Sequence, residues 1–282
     1  MTAPKAAESA RDRRLDVAVV QLSSQSDLAE NLAQCEHWVG AAAARGAGLV
    51  VLPENFAFFG EETARAALAE SLSDPTGPIL RTLAELARRH RVYLIGGGMP
   101  ERSGDPARPF NTNVVVDPNG SVSASYRKIH LFDVDLSDGS SYKESANTMP
   151  GAAPSVSSVA GFGVGLSVCY DLRFPELYRT LAATGAELLV VPAAFTLHTG
   201  KDHWHVLLRA RAVESQCYVA AAAQWGKHPL GRVTYGHALI VDPWGTVLAE
   251  VPDGPGFAIA SIDARRLASI RESLPSLRHR RL

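Results

Sequence analysis

Apolar residues in this chain fall into short unbroken blocks, separated by stretches where they recur every three or four positions. The blocks lie at 15–22, 49–54, 92–97, 162–168, 188–191, 218–223 and 257–262. Blocks of this length, bounded by turn formers, predict strands buried on both faces. Between them, Leu28, Leu32, Cys35 and Val39 line one helical face, and Ile79, Leu80, Leu83, Leu86 and Ala87 line another. Residues 204–215 predict a further helix, as does the segment from Pro175, where Leu177 and Leu181 share a face. Two β-hairpins are expected. One joins 113–116 to 122–126 through Asp117-Pro118-Asn119-Gly120, and the other turns at Asp242-Pro243-Trp244-Gly245.

Strands alternating with helices define an α/β chain. Each half runs strand, helix, strand and then a hairpin carrying Asp-Pro-X-Gly, which hints at an internal duplication. Two sheets covered by outer helices is the layered arrangement this rhythm allows. No Ser/Pro/Gly linker or break in composition divides the chain, so residues 15–282 are expected to form one domain. Residues 1–14 are Ala-rich and charged, without the apolar stretch of a signal peptide, and predict a disordered extension.

Composition narrows the setting. The chain has 282 residues, 46% of them apolar, and a net charge of −1, so it can bury a large core. No basic run points to nucleic acid, and Arg278-His279-Arg280-Arg281 reads as a solvated end. The longest apolar run is too short to span a membrane. Three cysteines, Cys35, Cys169 and Cys217, cannot all pair and lack metal-site spacing, so a reducing cytoplasm is expected.

The chemistry centres on Cys169. The apolar run 162–168 stops there, and a helix opens at Pro175 with Glu176 near its positive end. A cysteine at such a corner is expected to hold its sulfur out of the sheet, with helix amides and cations favouring the thiolate. Two other strands end in chemistry: Leu49-Val50-Val51-Leu52-Pro53 in Glu54, and the second hairpin strand in Lys128, within Tyr126-Arg127-Lys128-Ile129-His130. Alone, each has a plain reading, as a buried thiol or a surface charge. Together they are a base, a cation and a nucleophile at strand ends. Other features carry less. His203 and His205 would point about 200° apart on a helix and cannot chelate one ion together, so a metal site there is not expected. Gly96-Gly97-Gly98 lacks a dinucleotide fingerprint and reads as a site of close packing. Cys35 and Cys217 sit on regular elements and read as core.

These three segments, in this order, resemble the signature of the nitrilase superfamily, the carbon–nitrogen hydrolases with a Glu-Lys-Cys site. The resemblance runs from about Asp16 to the C-terminus. The stretch 203–218, with Ala223-Gln224 and Tyr235-Gly236-His237, is similar to the Nit branch, and most to its type that hydrolyses the amide of deaminated glutathione.

The resemblance implies a four-layer αββα sandwich whose subunits pair through their helices, as a homodimer or a higher homo-oligomer. It implies amide hydrolysis without metal or cofactor, releasing ammonia or an amine. Cys169 would be the nucleophile, Glu54 the proton carrier, and Lys128 the oxyanion partner with the amide of Tyr170. Glu144, in Tyr142-Lys143-Glu144-Ser145, matches the second glutamate that supports the lysine. Arg173, four residues after the nucleophile, is placed to hold a substrate carboxylate, or to pair internally with Glu176. Phe195, Thr196 and Thr199 are expected in the pocket wall. The alternatives are an ω-amidase acting on α-ketoglutaramate or α-ketosuccinamate, another amidase or N-carbamoyl hydrolase, and an inactive binding protein on the same fold.

Overall fold

The computed structural model describes residues 12–137, 139 and 141–281. Most of the expected 1–14 extension lies outside them.

Among the described residues, the first sheet has eight strands. Its spine is β1 (Arg14–Leu22), β2 (Leu49–Leu52), β3 (Tyr93–Glu101), β4 (Phe110–Val116) and β5 (Val122–Arg127), in that order. β1 to β3 run parallel, and β4 and β5 fold back as the first hairpin. A small ribbon follows, β6 (Asp133–Asp135) with β7 (Ser141–Lys143). The second sheet begins with β8 (Ser155–Val159) and β9 (Phe162–Leu166), and continues through β10 (Leu188–Val190) and β11 (Tyr218–Ala221). The chain then leaves for the first sheet as β12 (Ala223–Lys227) and β13 (Val233–Tyr235). It returns to the second sheet as the hairpin β14 (Leu239–Val241) and β15 (Val247–Glu250), and β16 (Gly256–Asp263) finally pairs antiparallel with β1.

Burial explains the apolar blocks. Along β1, Val17 and Val19 face the second sheet, where Val164, Leu189 and Val219 belong to the same core. Ala18, Val20 and Leu22 face the other way, onto Cys35 and Val39 of α1 (Leu28–Ala44). A short α2 (Glu62–Ala67) precedes α3 (Pro78–His90), whose Leu83, Leu86 and Ala87 complete that outer layer. On the opposite side, α4 (Pro175–Ala183) and α5 (Leu197–Ser215) cover the second sheet with Tyr178, Leu181, Trp204 and Leu208. The result is the αββα sandwich. A last helix, α6 (Ala264–Ser273), follows β16.

Two expectations change. The block 218–223 is not one strand: Ala222 is the step between sheets, and its carbonyl accepts from Ala193 N–H at 2.9 Å. Small side chains there let the backbone pass between layers. Helix α5 starts seven residues before Trp204 because Thr196 caps it. Its first turns carry no apolar stripe, and Gly200 lies where a Cβ would come within 2.3 Å of Tyr235.

Candidate active site

The carboxyl ends of the central strands of both sheets open into one cavity of about 270 Å³. Glu54 follows β2 and is buried. Its backbone is fixed from two sides: Gln224 Nε2 donates to its carbonyl at 2.9 Å, and Asn55 N–H donates to Gly98 O at 3.1 Å. Gly98 has a φ of +82°, and a Cβ there would sit 2.9 Å from Glu54 Cγ. The glycine run is therefore a close-packing device beneath Glu54, as expected.

Lys128 follows β5 and is buried more deeply still. Its ammonium donates to Glu54 Oε1 at 2.9 Å and to Glu144 Oε1 and Oε2 at 3.0 and 2.8 Å. Burial by itself disfavours the charge, but Glu144 and Glu54 outweigh it, and the net pKa lies above that of an ordinary lysine. Glu144 opens a 3₁₀ turn after β7. Burial pushes its carboxyl up, yet Lys128, Phe132 N–H at 2.7 Å and Asn111 hold it below the ordinary value. Asn111 bridges the pair, its Nδ2 lying 2.9 Å from Glu54 Oε1 and 3.2 Å from Glu144 Oε1.

Cys169 opens the turn after β9, with φ +49°, a left-handed conformation that costs a non-glycine residue roughly 1–2 kcal/mol. Asp171, fully buried, holds the turn in shape. It accepts from Val168 N–H at 2.9 Å, Tyr126 O–H at 2.8 Å and His130 N–H at 3.1 Å, and it lies 2.7 Å from His130 Nδ1. One carboxylate thus ties the cysteine corner to the strand bearing Lys128. The Cys169 N–H donates to Pro192 O at 2.8 Å.

The sulfur is not exposed as expected. Only 8% of Cys169 is accessible, and it lies at the cavity floor. Nor is the thiolate favoured at rest. Burial raises the thiol well above 9.0, and the charge of Glu54 adds to this, while Lys128 and the Ala194 amide pull in the opposite direction. Glu54 lines the same cavity as the thiol, so a base stands ready for its proton. Glu54 Oε2 in turn accepts from Ala194 N–H at 3.1 Å.

Every residue singled out for the site lines this one cavity: Glu54, Lys128, Glu144, Cys169, Tyr170, Arg173, Phe195, Thr196 and Thr199. Arg173 makes no ion pair with Glu176. Its guanidinium stands 3.3 Å from His203 Nδ1 and over the rings of Phe195 and Tyr170, and no carboxylate among the described residues lies within salt-bridge distance. Thr196 and Thr199 share a hydroxyl contact of 2.9 Å at the start of α5, so they also shape the helix. Sequence reasoning missed Asn111, Asp171, Ala194 and Gln224, along with Arg65 and Arg232 in the wall. The available signal was a polar residue inside or beside an apolar run, as in Asn111-Thr112-Asn113 before three valines.

A buried thiol, a carboxylate in the same cavity, and an ammonium held by two carboxylates form a machine for acyl transfer from nitrogen. The chain belongs to the carbon–nitrogen hydrolase family, whose model matches residues 16–272. It is a hydrolase of carbon–nitrogen bonds in amides, within the nitrilase superfamily. It is 48% identical over 266 residues to the deaminated glutathione amidase of Synechocystis sp., covering 93% of this chain and 97% of that protein. Among solved structures it is similar to the Caenorhabditis elegans NitFhit protein, with a TM-score of 0.88 and 38% identity, over 95% of this chain and 65% of that one. It also resembles an amidase from Nesterenkonia sp. AN1, with a TM-score of 0.76 and 30% identity, over 93% of this chain and 95% of that one. That amidase, as a Glu-to-Gln variant, carries the acetamide moiety of fluoroacetamide added covalently at its active-site cysteine.

Proposed function

We propose that the chain hydrolyses the ω-amide of a small carboxylate-bearing molecule, deaminated glutathione being the substrate, through an acyl-enzyme on Cys169. Arg173 carries the choice of substrate: it is a cavity cation without an acidic partner among the described residues, four positions after the thiol. The name of the Synechocystis relative points to the same substrate.

Glu54 takes the proton of Cys169 as the sulfur attacks the amide carbon. The new oxyanion accepts from Lys128 Nζ, which can release one of its two contacts to Glu144, and from Tyr170 N–H. Glu54 passes the proton to the departing nitrogen, the C–N bond breaks, and ammonia or an amine leaves a thioester behind. Water then gives a proton to Glu54 and attacks the thioester. The C–S bond breaks, and the proton returns to the sulfur. Glu144 and Asn111 keep Lys128 charged and aimed throughout.

The protein works as a homodimer paired through its outer helices. In support, Leu197, Val206 and Val213 leave large apolar side chains exposed along α5. Its three free cysteines suit a reducing cytoplasm.

The test is product release from a panel: deaminated glutathione, α-ketoglutaramate, α-ketosuccinamate and a neutral amide of similar size. The highest kcat/KM is expected for deaminated glutathione, with the neutral amide far behind. A preference for the neutral amide overturns the role of Arg173. A preference for α-ketoglutaramate makes the chain an ω-amidase, and no turnover of any amide overturns the mechanism.

A further inference from the structure

Behind the cavity wall, on the helix-covered side of the second sheet, two imidazoles and a carboxylate converge. We infer that His205, His237 and Glu250 form a binding site for a divalent cation of the zinc class, an ion that accepts nitrogen and carboxylate ligands together. His205 Nε2 lies 2.9 Å and His237 Nδ1 2.7 Å from the same atom, Glu250 Oε1. One ligand atom from each residue falls within a span of 4.8 Å. Ligands around tetrahedral zinc are roughly 3.3 Å from one another, so the two histidine–carboxylate contacts need open by about half an ångström, while the two imidazole nitrogens settle to the same separation.

The three residues come from a helix, a loop and the end of a strand, and each is held before any ion binds. His205 rides on α5. His237 precedes β14, and its carbonyl accepts from Trp204 Nε1 at 2.8 Å while its ring stacks on Tyr235 at 4.4 Å. The next residue, Ala238, donates its N–H to Gln21 Oε1 at 2.9 Å. His237 has φ +59°, a left-handed conformation kept by these surroundings. Glu250 stands opposite Leu239 in the β14–β15 register, which fixes it beside His237. Spacing correctly separates His203 from His205, since His203 lies against Arg173. The partners of His205 come from other elements.

A cation on His237 Nδ1 requires the proton to sit on Nε2, and the exposed Asp253 Oδ1 lies 3.7 Å from that nitrogen, too far for a hydrogen bond but near enough to favour that tautomer by its charge. Three protein ligands leave a fourth position for water. The ion would join α5 to the β13–β15 segment. Thr234 of β13 and Thr199 of α5 both line the cavity, so the clamp braces its wall from behind and touches no substrate.

The test uses full-length Cys169→Ala protein, stripped of metal, so that the site thiol cannot bind the probe. Cobalt(II) should bind once per chain, giving visible bands without thiolate charge transfer. Zinc(II) at a hundred times its Kd should raise Tm by roughly 4–8 °C. Adding His205→Ala or Glu250→Gln should abolish both signals, and His205→Ala alone should keep amide hydrolysis within about twofold of wild type. An absence of cobalt binding, a thiolate band, or a zinc shift that survives both substitutions would each overturn the site.

Discussion

The two halves of the molecule are built alike and equipped differently. In each, three parallel strands linked by helices lead to an antiparallel hairpin: β1, β2, β3 then β4–β5, and β9, β10, β11 then β14–β15. Even the hairpin turns match. Asp117 Oδ1 accepts from Asn119 and Ser121, and Asp242 Oδ1 from Trp244 and Thr246, all at 2.9 Å. The chemistry parts company at the strand ends. After β2 comes Pro53-Glu54-Asn55-Phe56; after β10 comes Pro192-Ala193-Ala194-Phe195. The first half brings the carboxylate and, at its hairpin end, the ammonium. The second brings the thiol, the Ala194 amide and Arg173. Glu144 comes from the segment between them. The cavity therefore needs both halves, and the charged groups that move or hold protons lie on the opposite sheet from the sulfur they serve.

The most severe way to break this division is to remove the second half's contribution. Cys169→Ala should lower turnover by roughly 10⁴-fold or more while Tm changes little, since one sulfur is lost from an otherwise intact floor. The same pair of proteins sharpens the electrostatics. Their difference in ultraviolet absorbance at neutral pH should show no thiolate, because burial and Glu54 keep the Cys169 proton in place. A thiolate signal there would mean that Lys128, rather than Glu54, governs the sulfur.

That result bears on how much could be read in advance. Glu54 and Cys169 were legible because each ends an apolar run abruptly, and Lys128 because it follows a hairpin and stands among apolar neighbours; none of these signals needs a distant partner to be noticed. The state of the thiol was not legible. A strand–helix corner suggests exposure and a depressed pKa, but depth depends on the opposing sheet, which the local sequence does not describe. Asn111, Ala194 and Gln224 escaped for a related reason. They meet Glu54 across 57, 140 and 170 residues of chain. Periodicity allowed two covered sheets and the family resemblance implied the αββα sandwich, whereas the crossing at Ala222 was hidden inside one continuous apolar block.

The joining segment offers the next test. Glu144 titrates below its ordinary 4.5 in the folded protein. Between the two values the unfolded chain binds more protons, so stability rises with pH there. The contribution is complete above about 4.5 and is lost as pH falls through the folded value. Glu144→Gln should cost up to about 3 kcal/mol at neutral pH, by leaving Lys128 with one charged partner. It should also flatten the acid limb of urea midpoints measured against pH. An unchanged acid limb would show that the joining segment does not share the charge of the first half.

Arg173 sharpens the comparison from the second half. Lysine cannot reproduce a planar two-bond fork, and a hydrogen bond to a charged group contributes roughly 1.5–3 kcal/mol. Arg173→Lys should therefore reduce kcat/KM for acidic amides about ten- to a hundredfold, and for a neutral amide much less. Equal losses on both would mean that Arg173 shapes the turn after Cys169 through Tyr170 and Phe195 and does not read a carboxylate.

The smallest effect asks whether the two halves are energetically as well as geometrically alike. Asp117→Ala and Asp242→Ala each remove one carboxylate oxygen that accepts two backbone N–H groups at a hairpin turn. Those amides lie near the surface and can turn to water, so each loss should be about 1–2 kcal/mol and not the full penalty of a buried orphan. Asp242 also meets Arg266 at 3.2 Å, but that arginine is half exposed, and solvent screening makes the extra contact worth only a few tenths of a kcal/mol. Urea unfolding should thus place the two variants within about 1 kcal/mol of each other, with kcat/KM unchanged in both, since neither turn reaches the cavity. A large loss at Asp242 alone would show that the second hairpin, which also seats Glu250 beside His237, is bound into its surroundings in a way the first is not.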